Sequence, residues 1–97
     1  MLKHFVADVF YEGRMVIHGS PMRAVFHLED GGRVSHWHGS FEVVPVKWAV
    51  ADGRELTLQA TNGEACRVVI THVRPMDNDE IQVCYNGVGE PPASLMR

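Results

Sequence analysis

Long apolar runs are missing from this chain. The longest, such as Val43–Val46, fall far short of the roughly 20 residues that cross a bilayer as a helix, so no membrane association is expected. The opening Met-Leu-Lys-His leads directly into strand-like sequence, without the apolar stretch and small-residue cleavage site of a signal peptide. A cytoplasmic location is the resulting expectation. Basic runs are missing too. Nine Lys and Arg residues stand singly between Lys3 and Arg97, against twelve Asp and Glu, for a net charge of −3. A nucleic-acid binder needs a basic face that displaces counterions from phosphates, and nothing here predicts one, so nucleic acid is not an expected partner.

Cysteine is scarce. Cys66 and Cys84 both fall in strand-like runs, and in a reducing compartment two such thiols read as small buried hydrophobes rather than a bridge. Mid-strand thiols are also poor nucleophiles, because reactive ones sit at helix N-termini or in electropositive clefts. The serines at 20, 35, 40 and 94 have no Gly-x-Ser-x-Gly context. No glycine-rich phosphate loop occurs, and the acidic segment Asp77–Glu80 lacks the glycine and distal glutamate of a calcium loop. The arginines at 14, 23, 33, 54, 67 and 74 are isolated in sequence, so a guanidinium grip on phosphate would require them to converge in space. An enzyme is therefore not the expected reading, and no obligatory cofactor is implied.

What the chain does have is turn signals. Glu12-Gly13, Gly19-Ser20-Pro21, Asp30-Gly31-Gly32, Asp52-Gly53 and Asn62-Gly63 punctuate it at short intervals. Asp-Gly and Asn-Gly supply the positive φ that two-residue hairpin turns demand. Between the turns, apolar residues alternate with polar ones. Met22, Ala24, Phe26 and Leu28 share one face, and Leu56 and Leu58 oppose Glu55, Thr57 and Gln59. Cys66, Val68, Ile70 and His72 line one side of their run, and Ile81, Val83 and Tyr85 one side of theirs. This is the period of half-buried strands. The 97 residues suit one domain.

The fold predicted is all-β, a single small antiparallel barrel of about six to eight short strands in the SH3 or OB-like manner, because most connections are tight and sequential. A two-sheet β-sandwich is the alternative, and only residues 74–80 look long enough for its crossover. The barrel is assigned to residues 1–87, and residues 88–97, which carry Pro91-Pro92 and no periodicity, to a flexible C-terminal tail.

Six histidines are present, and His36-Trp37-His38 is the most suggestive cluster. On a strand, residues i and i+2 project from one face, so both imidazoles reach toward a common point, with His27 or His18 from a neighbouring strand as a third ligand. Zinc is the ion this pattern would take, although a catalytic zinc site normally uses three protein ligands. The simpler reading places His36, His38, Ser40 and Glu42 on the solvent side of a strand whose inward face is Trp37, Gly39 and Phe41. Trp37 and Trp48 read first as core. Either, kept exposed, would anchor a protein partner.

Three functions follow in order. The first is a non-enzymatic interaction module that binds a protein or self-associates through free strand edges. The second is a metal- or small-ligand-binding protein built on His36, His38 and His27. The third, a single-stranded nucleic-acid platform, is the weakest.

Overall fold

A computed structural model describes residues 1–44, 52–61 and 63–96. Six strands form β1 (Leu2–Tyr11), β2 (Arg14–Leu28), β3 (Val34–Val43), β4 (Glu55–Ala60), β5 (Ala65–Pro75) and β6 (Ile81–Val88). They close in the order β1-β2-β3-β6-β5-β4, with every neighbouring pair antiparallel. Two three-stranded meanders therefore meet at both edges, β3 against β6 and β1 against β4. The barrel expectation holds, and the sandwich does not.

The passage between meanders is the stretch of residues 44–54, not residues 74–80. The latter belong to the β5–β6 hairpin, where Asn78 and Asp79 take positive φ in a short 3₁₀ turn, Asp77–Asp79. Trp48, expected in the core or as an anchor, lies outside the described residues.

Glu12-Gly13 makes the predicted tight hairpin, both residues having positive φ (50° and 79°), as a type I′ turn requires. Gly19-Ser20-Pro21 does not turn the chain. The register jumps from Ala7↔Ser20 to Val9↔Ile17, so β2 carries an extra residue there, and Gly19 takes φ +64° inside one continuous strand. Left-handed glycine serves a bulge as well as a turn. Asp8 holds the bulge, accepting from the Gly19 backbone N–H at 2.8 Å while His18 Nδ1 lies 2.9 Å from the same oxygen.

A second bulge resets the phase of β5. Ile70 pairs with Tyr85, but His72 pairs with Cys84, leaving Thr71 unopposed. Val73 then packs on the core and His72 is exposed, which corrects the expectation that His72 shares the inward face of Ile70. The same reset turns Arg74 outward. One residue of slip inverts every side chain beyond it.

Inside, Trp37, Phe26, Phe41 and Tyr85 fill the barrel with Met22, Leu56, Leu58, Val68, Ile70 and Val83. Two inward-facing glycines make room for the largest of them. A Cβ on Gly87 would overlap the Trp37 indole, and one on Gly39 would overlap the Tyr85 ring end and the Arg23 carbonyl. Both rings finish on hydrogen bonds. Tyr85 Oη donates to the Arg23 carbonyl and Trp37 Nε1 to the Gly89 carbonyl, each at 3.0 Å. Trp37 is 1% exposed, so the core reading applies and a surface-anchor role is closed to it. The segment after β6, expected to trail, lies against this end of the barrel, with Leu95 joining the core cluster.

Candidate functional site

The outer wall of β2, β3 and β6 carries the sequence-predicted histidines. His27 on β2 stands directly opposite His36 on β3, and Val25 opposite His38. His38 is thus the diagonal neighbour of His27, within side-chain reach. The His27 and His36 rings stack at 4.0 Å with planes 11° apart. The Nε2 atoms of His27 and His38 are 3.0 Å apart, one donating to the other. His36 and His38, the i, i+2 pair, are more widely separated, with ring centroids 6.4 Å apart. His18, weighed as an alternative third ligand, is engaged with Asp8 at the bulge of β2.

This proximity lowers the proton affinity of His27. Desolvation by its neighbours is the main cause, followed by repulsion from charged forms of His36 and His38 and from the N-terminal ammonium. The neutral imidazole is the form that binds a metal. For a tetrahedral zinc with Zn–N near 2.05 Å, two imidazole nitrogens sit about 3.3 Å apart. The observed 3.0 Å separation is close to that spacing. Among the described residues no set of three or more His, Cys, Asp and Glu side chains is disposed around one point. His27 and His38 therefore constitute a two-ligand arrangement, with His36 stacked behind His27 and steadying its ring.

His38 also borders a groove of about 370 Å³ on the same wall. Gly39 and Ser40 bring little bulk to its floor, and its sides come from β2, β5 and β6. Arg23 enters from one side, paired with Glu42, and Arg74 from the other. Gln82, Asn86, Thr71 and Cys84 complete the polar lining. Sequence reasoning missed this feature. Its residues come from five strands and depend on the Thr71 bulge, so no local spacing announces them.

The cysteines do not meet. Cys66 faces inward beside Leu58, while Cys84 faces the groove. Following the β5–β6 register, they are separated by about five strand steps, roughly 17 Å at 3.3 Å per residue, where a disulfide needs Cα atoms within about 7 Å. Both are free. Burial pushes the Cys66 thiol up to about 11, so it stays protonated and unreactive at neutral pH.

Comparison with protein-family models, curated proteins and solved structures finds no match for this chain. Its functional reading rests on the geometry above.

Proposed function

We propose that the protein is a non-enzymatic binding module whose recognition surface is the outer wall of β2, β3 and β6, and that His27 and His38 hold a transition-metal ion, zinc by preference, on that surface. The observation carrying this reading is the 3.0 Å approach of the two Nε2 atoms at the mouth of the groove. Two protein ligands leave two of zinc's four positions for water or for donors of a bound partner. Such an open site suits capture or bridging, whereas a structural zinc site would be closed by four protein ligands.

Barrel closure redirects the interaction reading. Each described strand pairs on both sides over part of its length, which confines strand addition to overhangs such as residues 14–22 of β2, paired with β1 alone. A protein partner or second copy would instead meet the side chains of the wall. Leu2, 56% exposed and beside His38 in the groove lining, supports that second reading.

A thermal-shift titration with zinc tests the metal assignment. A ligand at a hundredfold excess over its dissociation constant stabilises by about 2.7 kcal/mol, which for a domain this size raises Tm by roughly 10–20 °C. That shift is expected for the native protein and is lost in His27→Ala and in His38→Ala. An equal shift in the native protein and both variants would remove the metal from this site and leave the wall as a protein-binding surface.

A further inference from the structure

We propose that the groove beside the histidines binds a phosphate-bearing small molecule, its phosphate gripped between Arg23 and Arg74. This stands apart from the metal reading, because it uses different side chains and a different ligand chemistry.

The first support is the way the fold places the arginines. Arg23, Ser40, Cys84 and His72 form one outward row across β2, β3, β6 and β5, through the pairs Arg23↔Ser40, Ser40↔Cys84 and Cys84↔His72. Arg74 follows on the same outward face, opposite Gln82. The two backbones are three strand spacings apart, about 14 Å. Both guanidinium-bearing side chains line the one cavity between them. Arg74 is there only because the Thr71 bulge inverts the phase of β5. Bulges re-aim side chains in this way next to binding sites.

The second support is charge. Among the described residues Arg74 makes no ion pair, whereas Arg23 pairs with Glu42 and Arg67 with Glu55. Glu42 contacts one terminal nitrogen of Arg23 and is absent from the groove lining, which leaves other guanidinium N–H donors free toward the cavity. The lining itself contains two arginines and no carboxylate. Its positive balance contrasts with the chain's net charge of −3.

The third support is the remaining lining. Ser40 and Thr71 offer hydroxyls, and Gln82 and Asn86 offer amides that both donate and accept. These are partners for a phosphate oxygen and for the polar body attached to it. At about 370 Å³ the groove lies at the small end of ligand sites, which fits a small metabolite rather than a polymer.

Inorganic pyrophosphate is the first probe, titrated at constant ionic strength with a chelator present so that no metal contributes. Binding is followed by backbone amide shifts of the native protein. The expected result is saturable binding, with the largest shifts at Ser40, Thr71, Gln82 and Asn86. Arg74→Gln is expected to weaken it at least tenfold, and Arg67→Gln, which removes a surface arginine outside the groove, to leave it unchanged. Equal weakening by both substitutions would reduce the effect to general charge attraction and overturn the site, as would shifts clustered elsewhere or no saturation. Succinate in place of pyrophosphate separates phosphate from carboxylate: equal affinity would overturn the assignment to phosphate. Because the chelator excludes zinc, failure here leaves the histidine reading standing, and the reverse also holds.

Discussion

Substitution of Gly87 by alanine tests the packing account at its tightest point. The new methyl would fall within the Trp37 indole, against its Cε2, Nε1 and Cδ2 atoms. The ring is enclosed by Phe26 at 5.6 Å and Tyr85 at 6.2 Å between centroids, so it has no vacant space to enter. Overpacking of this sort costs about 1–3 kcal/mol. If the indole tilts away, the Nε1–Gly89 hydrogen bond goes with it and leaves buried groups unpaired, adding about 1–3 kcal/mol. A total of about 2–6 kcal/mol corresponds to a Tm fall of at least about 8 °C. The assay is thermal and urea unfolding of Gly87→Ala, Trp37→Leu and the double variant. With the large ring removed, the added methyl should cost under about 1 kcal/mol, a strongly non-additive cycle of the kind that contacting residues show. A loss under about 0.5 kcal/mol in the native background, or an additive cycle, would refute the close approach of Trp37 to Gly87.

Three further outcomes are expected. Because the folded-state pKa of His27 lies below the ordinary 6.5, the unfolded chain binds more protons in mildly acid solution. The contribution is full above about pH 6.5 and is lost as pH falls through the lower folded value, so urea unfolding of His27→Gln should show a flatter stability profile there. Tyr85→Phe should destabilise by about 1–2 kcal/mol, since the Arg23 carbonyl loses its partner, and equal stability in urea would contradict that bond. Under native conditions alkylation followed by mass mapping should mark Cys84 before Cys66, the latter labelling only as the barrel opens, and mild oxidation should form no intramolecular bridge. Early labelling of Cys66 would contradict its inward placement.

The parts of this fold legible in the sequence are those that local chemistry decides. Glu12-Gly13 made a hairpin visible, and alternation in Met22–Phe26, Leu56–Leu58 and Ile81–Tyr85 identified their inward faces. The misread segments share a cause: bulges. Gly19 takes the same positive φ in a continuous strand as it would in a turn, so β2 looked like two strands. At Thr71 nothing in composition signals an extra residue, and the faces of His72 and Val73 came out inverted.

The candidate site divides along the same line. His36 and His38 were visible as an i, i+2 pair on one strand. That His27, not His36, supplies the close nitrogen to His38 is a matter of cross-strand register, which spacing within one segment does not encode. Arg23 and Arg74 are 51 positions apart in the chain, from 23 to 74, and their meeting in one groove needs both the β2-β3-β6-β5 order and the bulge. Edge-strand recognition was expected because residues 33–43 and 64–73 lack interior proline. Closure of the barrel, a property of all six strands together, confines it to overhangs such as residues 14–22 of β2.

The most direct test of the central claim is imidazole nitrogen NMR of the native protein, titrated with zinc at pH 7.5. The account predicts that the Nε2 resonances of His27 and His38 move together to metal-bound positions, with stoichiometry of one ion per chain, while His4, His18 and His72 stay unchanged. Movement of all six histidines in parallel, or of neither His27 nor His38, would contradict it.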